Sequence, residues 1–340
     1  MNSNNTTPTK LFITGTTGLI GGSVLMKLLE PSQKGKWDIT AYIRSEAVIP
    51  KFKELGVKTL VGSLESADIL KQAAIDADVV FHFADSADHL PSAKALIEGL
   101  KTQDGKRRIY IHTSGTGELT DNARGDYATT VVYDDLDLEP IKALPVTQIH
   151  KDVDDYIFAN NEGYEAIIVA PPTIYGVGTG PVNQRSIQIP VVTKAFLKAG
   201  KGGTIGKGLN IWDGIHIDDL ANFYILLLEK ALEGKASTGK DGWYFCETEV
   251  YVWKDIYVKI AEELYKHKAI SSPDVPQFTV EEVESLFGNF GWTGISSNSR
   301  STANRARQLG WKADPRNPSI LETIEEEVKF ILEKEGLIKN

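Results

Sequence analysis

The chain has 340 residues, 41% of them apolar, a formal net charge of −9 and a single cysteine, Cys246. That length holds one large domain or two lobes with ample core. The acidic balance excludes a nucleic-acid partner, which needs a basic face. One cysteine excludes an intrachain disulfide and a cysteine-rich metal site, and no apolar run has the length of a membrane span. What remains is a protein that meets small molecules. Met1 to Thr9 are polar and lack the apolar region of a signal peptide. They read as a disordered tail on a cytoplasmic chain that works as a monomer or homodimer.

In chain order, short apolar runs alternate with helical patterns. Leu11–Thr14 reads as a strand, Leu19–Leu29 as a helix and Ile39–Ile43 as a second strand. Lys51–Leu55 is helical and Val57–Val61 is the third strand. Ile69–Ala74 is a helix and Val79–Phe83 the fourth strand. Pro91 opens a helix that runs to about Leu100, because proline is tolerated in a first turn. Ile109–His112, a helix around Asp152–Phe158 and Ala166–Ala170 complete the series. Runs this short, separated by helices, predict an α/β fold with a Rossmann-type doubly wound parallel sheet.

The second half changes character. Residues 176–210 are rich in glycine around one helix, Pro190–Leu197. Ile215–Leu232 reads as a strand and a helix with Asp218 or Asp219 as its cap. Trp243–Cys246 reads as a further strand with a buried thiol. Trp253, Ile256, Ile260 and Leu264 mark one helical face, and Ile320, Ile324, Val328 and Ile331 another. The expected division is a disordered tail (1–9), a dinucleotide-binding unit (10–176, with 211–250 returning to it) and a smaller C-terminal substrate-binding lobe (177–210 and 251–336).

The chemistry starts at Thr14-Gly15-Thr16-Thr17-Gly18-Leu19-Ile20-Gly21. A strand, spaced glycines and a helix, in that order, form the context of a dinucleotide fingerprint. Gly15 makes the tight turn, Gly18 admits a pyrophosphate, and Gly21 lets the helix pack close to the strand. The helix N-terminus then favours phosphate. Gly15, Thr17, Gly18, Leu19 and Ile20 are therefore expected at a cofactor.

These segments resemble the extended short-chain dehydrogenase/reductase superfamily of the epimerase/dehydratase type. The glycine loop is similar to its TGxxGxxG. Val79-Val80-Phe81-His82-Phe83-Ala84 resembles its fourth strand, and Ile111-His112-Thr113-Ser114 its fifth. Pro171-Pro172-Thr173-Ile174-Tyr175-Gly176, Ile215-His216-Ile217-Asp218-Asp219-Leu220-Ala221 and Ala306-Arg307-Gln308-Leu309-Gly310-Trp311 match later motifs in the same order. Some variants look most like uncharacterised fungal members. The resemblance implies cofactor contacts at Ala84, Pro171, Thr173 and Ile174, and at Ser63 and Leu64, where Ser63 replaces the family's Asp.

The second strand ends Ile43-Arg44-Ser45, with no acid before Glu46. Proteins selective for NAD place an acid there. Arg44 and Ser45 instead suit a 2′-phosphate, so NADP (NADPH) is expected rather than NAD.

The resemblance also implies a Tyr-x-x-x-Lys pair, with the tyrosine as general acid. No tyrosine here has a lysine four residues on. Two alignments stay open: His150 and Asp154 in the Tyr and Lys positions, or Val146 and His150. Both bring His150 to the nicotinamide end, where it donates a proton or binds the ribose; histidine is the residue type that titrates near neutrality. Ser114 matches the hydroxyl that orients the substrate carbonyl. Tyr110, Tyr133 and Tyr175 are other possible proton donors, Tyr175 beside the nicotinamide. Asp85, Asp88, His89, Thr116 and Tyr133 are candidate substrate contacts, and no metal site is expected. Three functions compete: an NADP-dependent oxidoreductase reducing a small carbonyl, enone or imine; a non-catalytic redox sensor of the NmrA-like type; and a non-redox isomerase or lyase.

Overall fold

The computed structural model describes residues 7–101 and 104–338. Residues 1–6 of the expected tail lie outside the described residues. Thr9 does not belong to a tail: it begins the first strand, its N–H donating to the Lys36 carbonyl at 2.9 Å.

The first half alternates as expected. It runs β1 (Thr9–Thr14), α1 (Leu19–Leu28), β2 (Trp37–Ile43), α2 (Ile49–Glu54), β3 (Lys58–Val61), α3 (Ala67–Asp76), β4 (Val79–His82), α4 (Leu90–Leu100) and β5 (Ile109–Thr113). Then come β6 (Tyr133–Asp134), α5 (Glu139–Lys142), α6 (Lys151–Ala159), β7 (Glu165–Ala170) and β8 (Thr173–Tyr175). The second half holds α7 (Gln188–Ala199), β9 (Ile211–His216), α8 (Ile217–Leu232), β10 (Trp243–Phe245), β11 (Glu249–Val252) and α9 (Trp253–Lys266). It closes with α10 (Val280–Phe287), α11 (Asn289–Thr293), β12 (Ser301–Thr302), α12 (Asn304–Gln308) and α13 (Ile320–Lys334).

Seven strands form one sheet in the order β10-β7-β5-β4-β1-β2-β3, and every pairing is parallel. Helices α3, α4 and α6 pack together, and α1 packs with α8. Covered on both sides, the central strands are apolar throughout: Val79, Val80 and Phe81 have no exposure. The strand order reverses between β1 and β4, and ligands in such sheets bind beyond the strand ends at that reversal.

A second apolar core lies under the smaller lobe, around Phe196, Trp253, Tyr257, Ile260 and Ile324. Both predicted apolar stripes, on α9 and α13, are buried there or at its edge. A capping box of Ser319 and Glu322 starts α13. The stretch 211–250 divides. Helix α8 and β10 join the large sheet, whereas β9 and β11 pair with each other and β9 with β8 in a three-stranded sheet. Neither Asp218 nor Asp219 caps α8. His216 does, its Nδ1 accepting from the Asp218 N–H at 3.2 Å, because the strand delivers His216 in extended conformation one residue before the helix. Cys246 is buried, and burial pushes its thiol pKa well up.

Candidate active site

The glycine loop leaves β1 with Gly15 at φ +73°, a left-handed conformation. A Cβ on Gly15 would lie 2.7 Å from the Ala84 nitrogen, so the loop and the end of β4 touch backbone to backbone. At Gly21 a Cβ would lie 2.5 Å from the Gly15 carbonyl oxygen. Gly18 differs: a Cβ there meets only the Gly15 oxygen, at 3.3 Å, and otherwise open space. Two glycines are thus needed for packing, and the third leaves room for something else. Gly18 is also the N-cap of α1, with no side chain capping the helix. Such a terminus keeps unsatisfied N–H groups and a partial positive charge.

A cleft of about 660 Å³ opens there. Gly15, Gly18, Leu19 and Ile20 form one wall, and Ser114, Gly115, Thr116 and His150 another. Pro171 and Ile174 line it between them. The loop 183–188 crosses from the smaller lobe, its Asn183 N–H donating to the Thr17 carbonyl at 3.1 Å. Trp212 and Phe290 also line the cleft. Sequence reasoning missed Asn183, Arg185, Trp212 and Phe290. They reach the cleft only through long-range packing, and no local spacing marks them.

His150 is the N-cap of α6 at φ +73°. Its Nδ1 meets Asp88 Oδ1 at 2.7 Å, and its Nε2 side faces Gly115 and Gly117. Val146 is 77% exposed and lies before the helix. The alignment that puts Val146 in the tyrosine position therefore fails here; the pair one helical turn apart beside Ser114 is His150 and Asp154. Ser114 Oγ donates to Asp154 Oδ2.

Behind Ser114 lies a buried polar cluster. Asp154, Glu118, Lys151, His112, Tyr110 and His82 are each at most 1% exposed. Lys151 Nζ pairs closely with Asp155 and lies 3.7 Å from Glu118 Oε1. Burial, then the neighbouring Glu118, pushes the Asp154 pKa well above the usual carboxylate range. Burial also raises Glu118, against the hydrogen bond to Asp154 and the Lys151 charge. Burial pushes His82 down to about 3, and carries His112 well below the ordinary imidazole value, helped by His82 and His150. All of these shifts favour uncharged forms.

Several expected contacts lie elsewhere. Tyr175 is buried with its ring 5.6 Å from His216, and burial followed by Glu249 raises its pKa. It packs the three-stranded sheet and does not line the cleft. Thr173 turns its hydroxyl to Tyr251 at 2.7 Å, so its side chain is committed to the second lobe. Tyr133 forms β6, which pairs with β12 through Ser301. His89 caps α4 and meets Glu65 at 2.9 Å, and Asp85 is an exposed turn residue at φ +46°. Of that segment only Asp88 lines the cleft with Phe83; Ala84 instead donates its N–H to Thr14 Oγ1 at 3.1 Å. Thr116 lines it as well, with a buried Oγ1 that has no hydrogen-bond partner.

Arg44 follows β2, exposed, with no hydrogen bond or ion pair among the described residues. Ser45 Oγ accepts from the Ala47 N–H at 3.3 Å. Ser63 and Leu64 follow the neighbouring β3, where Tyr42 donates to the Ser63 carbonyl at 2.7 Å. These four residues lie outside the cleft walls, at the same edge of the sheet. No group of three or more potential metal ligands occurs, and no helix is long and apolar enough to cross a membrane, among the described residues.

A glycine cradle at a Rossmann switch point, opening on a cleft shared with a second lobe, defines a nucleotide-binding class. The model of the family described as NAD(P)H-binding matches residues 15–188, and the chain belongs to that family. Its fold is that of the extended short-chain dehydrogenase/reductases. It is similar to dTDP-glucose 4,6-dehydratase from Bacillus anthracis in complex with NAD, with TM-score 0.63 and 14% identity over 97% of this chain and 98% of that one. Among curated relatives, oxidase ucsJ from Acremonium sp is 28% identical over 96% of this chain and 99% of its own length. A 4-hydroxy-2-methyl-3-oxo-4-farnesyl-3,4-dihydroquinoline-1-oxide ketoreductase from Stigmatella aurantiaca is 24% identical over 65% of this chain and 72% of its own.

Proposed function

We propose that the chain is an NADP(H)-dependent reductase of an uncharged, ring-bearing carbonyl, enone or imine. The observation that carries this reading is the shared cleft. It brings the glycine cradle of α1 within one space of Ser114 and His150, with Trp212, Phe290, Ile149 and Ile187 as apolar walls. The open space at Gly18, the uncapped helix and the unpartnered Arg44 fit a dinucleotide with a 2′-phosphate. Bound NADPH would supply the hydride. Ser114 would hold the substrate oxygen, and His150, fixed by Asp88, would orient the reacting end.

The walls speak against a nucleotide sugar. The one arginine or lysine among them, Arg185, has Glu326 at 3.5 Å and Glu327 at 3.8 Å and stacks on Phe330 at 4.1 Å. A diphosphate would have to displace those acids. The names oxidase and ketoreductase, borne by relatives, support redox chemistry on the scaffold.

The test is NADPH consumption, followed with a panel of aromatic ketones, quinones, enones and cyclic imines. Turnover of at least one aromatic member, with a reduced product by mass, is expected. NADPH binding without turnover of any member would overturn the reductase reading in favour of a sensor.

A further inference from the structure

The buried cluster behind Ser114 has a hydrogen-bond polarity that can be followed atom by atom. The His89 carbonyl can only accept, and Ser92 Oγ donates to it at 2.9 Å. That spends the Ser92 proton, so His82 Nε2, 3.2 Å from Ser92 Oγ, must be the donor to it. A neutral His82 then has a bare Nδ1, which takes the Tyr110 hydroxyl proton at 2.7 Å. Tyr110 oxygen in turn accepts from His112 Nδ1 at 3.2 Å. His112 is left with a bare Nε2, and the group facing it, at 3.6 Å, is Asp154 Oδ1.

Two acceptors facing each other in a dry interior are unfavourable, and one proton between them removes the conflict. The second side of Asp154 gives the same answer. Asp154 Oδ1 and both Glu118 oxygens find no donor when both acids are ionised, and each carboxyl acts on the other's pKa. Glu118 has Lys151 beside it; Asp154 has no cation in contact, only Ser114, Glu118 and His112.

We infer that Asp154 is a neutral carboxylic acid that holds the proton used in the reaction, handing it to Ser114 as Ser114 gives its own to the substrate oxygen. The inference rests on the reductase reading. In the step, the Ser114 O–H bond breaks and an O–H bond forms on the substrate oxygen. Before the step Ser114 donates to Asp154 Oδ2, and the acid proton sits on Oδ1. As Ser114 turns its O–H to the substrate, the carboxyl rotates, the Oδ1 proton passes to Ser114 Oγ and Asp154 becomes a carboxylate. Water entering the emptied cleft restores that proton through Ser114. The groups set against Asp154 are Ser114 and His112 from β5 and its end, Glu118 from the turn after β5, and the Lys151 charge on its own helix. Asp154 touches no substrate, so it is a positioning and proton-supplying residue. The chain His112–Tyr110–His82–Ser92 fixes where its proton sits.

The experiment is infrared difference spectroscopy of the full chain against Asp154→Asn, in water and deuterated water around neutral pH. A protonated-carboxyl C=O band that shifts in deuterated water and is lost in the variant is expected; a difference spectrum in which the variant loses only carboxylate bands would overturn the inference. Should the variant not fold, spectra of the unaltered chain with ¹⁵N-labelled histidine answer the same question. A neutral His112 protonated on Nδ1 is expected, and an imidazolium there would overturn it. With any carbonyl compound found to consume NADPH, Asp154→Asn should slow turnover about 100-fold, leave NADPH affinity unchanged and abolish the loss of rate at high pH. A variant with the parent's rate and pH profile would overturn the supply role. Absence of turnover in the parent would instead sink the reductase reading, while the infrared band still decides where the proton is.

Discussion

Ser114 and Asp154, forty residues apart, are joined by a buried hydrogen bond that puts a carboxyl directly behind the hydroxyl lining the cleft. No tyrosine of the chain has a lysine four residues on. The bond gives the reaction a pH sign. If Asp154 supplies the proton as proposed, its acid form is the active one, and its pKa is raised by burial and by Glu118. Reduction should therefore be flat through the acidic range and fall as pH rises through that raised value. A rate that climbs with pH would contradict the assignment.

On the proposed reading His150 positions the reacting end, which separates it from Asp154. His150→Gln keeps a side chain beside Gly115 but loses the fixed contact from Nδ1 to Asp88. Turnover should fall about tenfold or more, the loss expected for one hydrogen bond to a charged group, while the high-pH limb stays in place. Steady-state rates across pH for the parent and the variant decide this. Movement of the limb with His150 would make the imidazole the acid.

The glycine loop yields a matched pair of variants. Gly18→Val fills open space at the uncapped start of α1, so, if a dinucleotide binds there, NADPH binding should be lost with the circular dichroism spectrum unchanged. Gly21→Ala drives a methyl to 2.5 Å from the Gly15 oxygen, so it should cost about 1–3 kcal/mol of stability through overpacking. Denaturant titration of both variants reads the contrast. Retained NADPH binding in Gly18→Val would remove the loop from the site.

Arg44 tests cofactor choice. A charge-assisted hydrogen bond contributes about 1.5–3 kcal/mol, so Arg44→Ala should weaken NADPH about tenfold or more and leave NADH nearly unchanged. Isothermal titration with both nucleotides measures this. Equal affinities for the two in the parent would refute the preference.

How much of this was legible in the sequence follows the range of the interactions. The glycine loop, the alternation that builds the sheet and the stripes on α9 and α13 are local patterns, and each is found where its spacing put it. Gly15 and Gly21 show their need for glycine in the structure as they do in the motif. Tyr175 misled because a family motif fixes the chain path, while the side chain's direction is set by β9 and β11. Asp154 entered the alignments only as a replacement for something else. Its meaning depends on His112, Glu118 and Ser114 closing round it, contacts that no spacing announces. Trp212 and Phe290 reach the cleft from the second lobe in the same way.

Stability should carry a second pH signature. Glu327 is buried, its pKa is pushed up to about 7 mainly by burial, and Arg185 opposes that at 3.8 Å. In the unfolded chain it ionises near the ordinary glutamate value, while in the fold it stays protonated. Its contribution is therefore fully present below that ordinary value and is lost as pH rises to about 7. The shift corresponds to roughly 3 kcal/mol. Melting at mildly acidic and mildly basic pH should differ less in Glu327→Gln than in the parent; an equal difference would show that Glu327 ionises freely.

The central claim is tested most directly by the fate of the hydride. NADPH carrying deuterium at the transferable position of its nicotinamide C4 is incubated with the chain and an aromatic ketone, and the alcohol is examined by mass spectrometry and NMR. The account predicts one deuterium on the carbinol carbon, with Gly18→Val giving no labelled product. NADPH that binds saturably while no ketone, quinone, enone or imine acquires deuterium would contradict it.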